Sequence, residues 1–120
     1  QTLFSAQEHR FGIHAGEIET SMMLHLAPAT VRMDQARDFR STSQDRAERY
    51  AILGNGKSAK LGWQMQDYHV AGAVGNAAAA TADKGRAVVD AAAQQLVRLL
   101  QELHDLPLAT LVDGAGGLVE

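Results

Sequence analysis

His14-Ala15-Gly16-Glu17-Ile18-Glu19-Thr20-Ser21 sets an imidazole and two carboxylates within six residues, around a glycine, where a helical pattern begins. Ile18, Met22 and Leu26 recur four apart with Met23 beside them, so Ala15 to Ala27 is predicted to be a helix with one apolar face. Glu17 and Glu19 fall in its first turn, beside unpaired backbone N–H groups and the positive end of the helix dipole. Pro28 stops it, because the residue before a proline is driven out of the α region. Acids at such a place have two readings. They are ordinary dipole-complementing caps, or they do chemistry beside a histidine, whose side chain changes charge near pH ~6.5 when unperturbed. His-x-x-Glu-x-Glu is not a standard zinc spacing and lacks the two histidines, four apart, of the helical zinc proteases.

The 120 residues suit one small domain, and 46% hydrophobic with 21% charged residues is a globular composition. Aromatics make up only 5% and alanine supplies much of the apolar count. A core built from alanine buries little area per residue, so the chain is expected to be stable as part of something larger. A net charge of −3 offers no basic field, and nucleic acid is excluded as a partner. The absence of cysteine rules out disulfides and thiol catalysis, leaves His, Asp and Glu as metal ligands, and fits a cytoplasmic location. No apolar run is long enough to span a bilayer, so no membrane association is expected. The chain begins with Gln1 and shows no signal-peptide pattern; its natural start is expected upstream, or removed.

Residues 1–13 read as a connecting or active-site loop, 14–106 as the body of the domain and 107–120 as a tail. Val31 to Phe39 reads as a turn into a short helix or as an irregular segment. Ser41-Thr42-Ser43 precede Gln44 to Leu53, a surface helix capped by one of the serines. Gly54-Asn55-Gly56 signals a turn. Leu61 to Val70 reads as a short strand or an ordered loop, and Ala71 to Asn76 as too glycine-rich for a regular element. The longest helix is predicted from Ala78 or Ala82 to His104, on the stripe Val88 or Val89, Ala92, Leu96, Leu99 and Leu103. Gly85 interrupts it at a cost of about 1 kcal/mol against alanine, so a close backbone contact is expected there. Pro107 ends it. Leu108 to Val112 is a candidate edge strand, and Gly114 to Gly117 a mobile end.

The stretch His14 to Ser21, with Met22-Met23-Leu24 and Pro28 behind it, resembles the His-Ala-Gly-x-x-Glu-Thr-Ser signature of the creatininase (creatinine amidohydrolase) family. Gly72-Ala73-Val74-Gly75-Asn76, followed by Ala80-Thr81-Ala82-Asp83-Lys84-Gly85, resembles that family's second block in the expected order. The resemblance spans about His14 to Leu103. It implies a three-layer α/β/α fold with a mostly parallel sheet, of which this chain is the C-terminal part. It also implies two divalent metal ions per site, zinc or manganese, hydrolysis of C–N bonds in small and often cyclic amides, and homohexameric assembly. The family's Glu-x-His pair, its aspartate and its Asn-Gly-His segment are not here: Glu8-His9 lacks the middle residue, and Asn55-Gly56-Lys57 carries lysine. The N-terminal part of the same protein is therefore the expected source of most metal ligands.

By this resemblance His14 faces the substrate beside the metals, either polarising the scissile carbonyl or protonating the leaving nitrogen. Glu17 reaches a metal or the attacking water, or is a dipole-complementing acid. Glu19 is expected in a buried hydrogen-bonding role, holding the loop that carries the metal ligands. Trp63, Asp67, Tyr68 and His69 form a separate group: the rings can cover a flat substrate or pack in a core or interface, and Asp67 with His69 has the look of a ligand pair. Arg37, Arg40, Arg46 and Arg49 read as solvated or interfacial, with one able to bind an anionic substrate. A rival reading from another class is a non-catalytic assembly or regulatory module, whose stripe Val89-Ala92-Leu96-Leu99-Leu103 packs on a partner.

Overall fold

A computed structural model describes residues 2–53, 58–59, 62–112 and 114. In chain order its elements are α1 (Ala6–Phe11), α2 (Glu17–Leu26), β1 (Asp38–Phe39), α3 (Ser43–Arg49), α4 (Met65–Tyr68), β2 (Gly75–Asn76) and α5 (Ala82–Asp105). Single 3-10 turns at Pro28–Thr30, Met33–Gln35, Ala77–Ala79 and Leu108–Thr110 connect or follow them. The chain divides into two compact units, Gln1–Val89 and Asp90–Glu120.

In the first unit, β1 and β2 pair antiparallel, Asp38 opposite Asn76 and Phe39 opposite Gly75. An isolated antiparallel bridge joins His14 to Val74 just ahead of it. The mostly parallel sheet expected from the resemblance is not among the described residues, which are largely helical. A parallel strand buried on both faces needs a continuous β-branched, apolar run, and these two-residue strands are Asp-Phe and Gly-Asn. The glycine-rich segment 71–76 nonetheless contains a strand. Its conformation is bought with Gly75 at φ 130°, a region that side chains other than glycine's avoid.

The first unit's core is small. Phe4, Val74, Ala77 and Ala80 are its buried apolar residues, and four polar ones, Glu8, Glu17, Ser21 and Ser41, are buried with them. Glu8 organises the N-terminal side. Residues 1–13, expected as a loop, contain α1, whose N-cap Ser5 accepts the Glu8 N–H at 3.0 Å. The N-cap of α2 is Gly16, which has no side chain to cap with. Glu8 supplies the missing acceptor: Oε1 takes the Glu17 N–H at 2.6 Å, and Oε2 takes the Asn76 N–H at 3.0 Å. Its negative charge thus sits at the positive end of α2. Gly12, Gly16 and Gly75 close around that carboxylate, and a Cβ at any of them would collide with it. Replacing Glu8 with glutamine leaves one of the two N–H groups facing an NH2 instead of an acceptor. We expect Glu8→Gln to lower stability by about 1–3 kcal/mol, read from the urea midpoint.

The long helix begins at Ala82, within the range predicted, and the Thr81 hydroxyl accepts the Lys84 N–H at 3.3 Å. Gly85 is buried against α2, with its missing Cβ directed at the Ser21 carbonyl. This is the close backbone contact expected of it. α3 starts at Ser43, one residue before the predicted Gln44, and ends at Arg49 rather than Leu53. Its N-cap is Thr42, which makes no side-chain cap bond, and not one of the serines, although Ser41 Oγ accepts the Ser43 N–H at 3.1 Å. The described residues from Gly62 to Val70 hold no strand: irregular backbone flanks the single helical turn α4, which is closed by a reciprocal cap between Gln64 and Asp67. The Gly54-Asn55-Gly56 turn, Leu61 and most of Gly114–Gly117 lie outside the described residues.

In the second unit every residue from Asp90 to Val112 is exposed. Leu96, Leu99 and Leu103, the predicted stripe, are 55%, 49% and 57% accessible. Leu108 to Thr110 form a 3-10 turn instead of the expected edge strand. No helix among the described residues is long and apolar enough to cross a membrane.

Candidate functional site

The two sequence blocks meet residue by residue. His14 and Val74 exchange both backbone hydrogen bonds, at 3.3 and 2.7 Å. Gly16 lies against the backbone of Gly75. Ser21, fully buried, accepts the Thr81 N–H on its hydroxyl at 3.1 Å. Lys84 Nζ donates to Glu17 Oε1, and also to the Ala79 carbonyl at 3.1 Å. The signature is therefore half of a contact whose other half is the second block.

Its remaining residues hold one strained peptide. Ala15 has φ 52°, a left-handed conformation that a residue with a Cβ rarely adopts. Glu19 Oε2 accepts the Ala15 N–H at 2.6 Å, and Thr20 Oγ1 donates to the Ala15 carbonyl at 3.3 Å. Both ends of the Ala15 residue are thus gripped from the first turn of α2. The same Glu19 oxygen lies 3.7 Å from His14 Nδ1, and both side chains are about half exposed (52% and 54%). At 3.7 Å the contact is electrostatic rather than a hydrogen bond. Beside them lies an open cleft of about 350 Å³, lined by Ala15, Glu19 and Thr20 on one side and by Arg32, Gln35 and Phe39 on another. His14 is not itself a lining residue; it is tied to the cleft through Ala15 and Glu19.

The other candidates fall elsewhere. Glu17, expected to reach a metal or the attacking water, is buried with its carboxylate engaged by Lys84. A charge so placed needs its partner against the cost of desolvation. The cap-like alternative is nearer the observed geometry, with a lysine added. Trp63 and Tyr68 pack with their rings tilted at 47° and centroids 5.7 Å apart, and the Arg46 guanidinium lies over both rings, 4.1 Å from Trp63 and 5.2 Å from Tyr68. Neither ring lines the cleft that holds Glu19. Asp67 and His69 each serve a local backbone contact: Asp67 Oδ2 accepts the Gln64 N–H at 3.0 Å, and His69 Nδ1 accepts the Ala71 N–H at 3.1 Å. On the surface, the guanidinium of Arg40 holds Asp45 below the ordinary carboxylate range, and Asp45 in turn raises Arg40.

Among the described residues no three His, Asp or Glu side chains converge to hold a metal ion. The pair of divalent ions implied by the resemblance is therefore not accommodated by these residues alone. Two residues that matter escaped the sequence reading. Glu8 gave no signal beyond the Ser5-x-x-Glu8 spacing of a helix start. Arg32, which lines the cleft, sits in a segment read only as turn or irregular.

The sequence profile of the creatininase family, described as creatinine amidohydrolase, matches residues 1–100. A crystal structure from Bacteroides fragilis NCTC 9343, of a protein provisionally described as a creatinine amidohydrolase, is similar with a TM-score of 0.66 and 33% sequence identity. That likeness covers 88% of this chain and 39% of the other, so this chain spans well under half the length of its structural relative. A search among curated proteins returns no significant match. The profile covers most of the chain and includes both blocks that the fold brings together, and the chain belongs to the creatininase family.

Proposed function

We propose that this chain supplies the proton-handling wall of an amidohydrolase site that cleaves a C–N bond in a small, possibly cyclic, amide. The observation that carries the reading is the His14–Glu19 pair beside the cleft, mounted on a backbone fixed by the Val74 bridge and the Ala15 clamp. Amide hydrolysis requires a proton on the leaving nitrogen as the C–N bond breaks, and an imidazole carried on a fixed backbone is suited to deliver it. His14 is the donor in this reading. Glu19 is a positioning residue: it grips the Ala15 N–H next to His14 and lies 3.7 Å from the ring. Glu17, with Lys84, keeps α2 and α5 together.

The divalent ions belonging to the family's chemistry, two per site and zinc or manganese, are in this reading held by residues beyond those of this chain. The 39% coverage of the structural relative supports that view. The N-terminal part of the same protein and further copies in a homo-oligomer are the proposed partners. The rival reading, an assembly module, is favoured by one observation, the exposed stripe Leu96, Leu99 and Leu103. The two separate in an assay of the complete protein against small cyclic and linear amides. Turnover is expected, and Glu19→Gln should lower kcat about tenfold. Glutamine can still accept the Ala15 N–H, so stability should stay within about 1 kcal/mol. Absence of any amide cleavage would favour the assembly module.

A further inference from the structure

Arg32 stands apart from the cations that surround it among the described residues of the first unit. Arg37 Nη1 donates to the carbonyls of Asp34 and Ala36, at 2.9 and 2.7 Å. Arg40 makes two bonds to Asp45, at 2.7 and 3.1 Å. Arg46 lies over Trp63 and Tyr68, Arg49 over Tyr50, and Lys84 is held by Glu17. Arg32 has neither a side-chain hydrogen bond nor a ring contact among the described residues, and it is the cation that lines the cleft. Its acidic neighbour Asp34 acts on it through space only, because Asp34 Oδ2 accepts from Gln35 Nε2 at 2.7 Å.

The rest of the cleft makes this guanidinium its main donor. Thr20 and Thr30 each direct their hydroxyl proton to a backbone carbonyl, and the Gln35 amide donates to Asp34. The Arg32 backbone is also placed. It is the N-cap of the Met33–Gln35 turn, and its carbonyl accepts the Gln35 N–H at 3.0 Å. A planar fork of N–H donors on a fixed backbone suits a carboxylate, which it can take with two parallel bonds. We propose that Arg32 anchors a carboxylate of the substrate, so that the site prefers small amides carrying one. This rests on reading the cleft as a hydrolase site and names the substrate class of that site.

The test uses the complete protein and amide pairs that differ by one carboxylate: 5-oxoproline against 2-pyrrolidinone, and dihydroorotate against dihydrouracil. The expected result is a kcat/KM at least about tenfold higher for the acid of a pair that is turned over, as a charge-assisted pair supplies. Arg32→Gln should bring the ratio near one, and Arg32→Lys should leave an intermediate value. Arg40→Gln, whose guanidinium is engaged by Asp45, should leave the ratio as it was. Equal rates within each pair, or a ratio unmoved by Arg32→Gln, overturns the proposal while leaving the hydrolase reading intact. If no pair is cleaved, the hydrolase reading fails for these amides, and calorimetric binding of the two acids decides the rest. Binding that Arg32→Gln abolishes upholds the anchor; binding that is absent, or indifferent to the substitution, overturns it.

Discussion

Replacing Gly85 with alanine is expected to destabilise the protein by about 3 kcal/mol, although alanine is the better helix former by about 1 kcal/mol. The sign is decided by what the new methyl meets. Its carbon would overlap the carbonyl of Ser21 and come within 2.9 Å of the Met22 nitrogen. These are backbone atoms of a helix and have no rotamer to escape into. α5 must therefore move away from α2, and two polar links cross that same junction. One is the bond from the Thr81 N–H to the Ser21 hydroxyl; the other is the Lys84–Glu17 ion pair. Stretching the second leaves a buried carboxylate short of its counter-charge, which costs about 3–5 kcal/mol when complete. Overpacking alone typically costs about 1–3 kcal/mol, so the sum outweighs the helix-propensity gain. Gly62→Ala is the matching control, since a Cβ there meets nothing within 4 Å. Urea midpoints of the two variants check the prediction, and a Gly85→Ala midpoint at or above wild type would overturn it.

That contact shows what a sequence can disclose. A glycine inside a strong helical pattern is a local anomaly, and its explanation, a close neighbour, needs no knowledge of which neighbour. Helix limits were legible for the same reason: Pro28 and Pro107 act on their own flanks, and α2 and α5 fall within a few residues of where spacing put them. The partners were not legible. Glu8 caps Asn76 across 68 residues, Lys84 reaches Glu17 across 67, and Ser21 holds Thr81 across 60. Nothing in the local pattern distinguishes a carboxylate that will be buried from one that will be solvated. The strand at Gly75 was hidden by the residue that permits it, because glycine lowers strand propensity while allowing the φ this crossing requires. Of the candidate site, His14 and Glu19 were legible through the signature. Arg32 was not, because a lone arginine in a turn looks like any solvated charge until the cleft around it is known.

Substitution of His14 by alanine should reduce turnover of any amide the complete protein hydrolyses by about 10²–10⁴-fold, the usual contribution of a positioned acid–base group. The imidazole is about half exposed, and the bridge to Val74 uses only the backbone of His14. Alanine therefore keeps the fold, and stability should change by less than about 1 kcal/mol. Metal content, measured on the purified complete protein, is expected to be unchanged, because no cluster of ligands includes His14 among the described residues. The combination matters more than the rate loss alone. A histidine that merely braced the loop would lower stability along with activity, and a histidine that held an ion would lower occupancy along with activity. A proton donor lowers activity with both others intact. Its loss should also fall harder on amides with poor leaving amines, since these depend most on protonation as the C–N bond breaks. A His14→Ala protein with undiminished kcat on such amides would remove His14 from the chemistry, and a parallel loss of bound metal would make it a ligand.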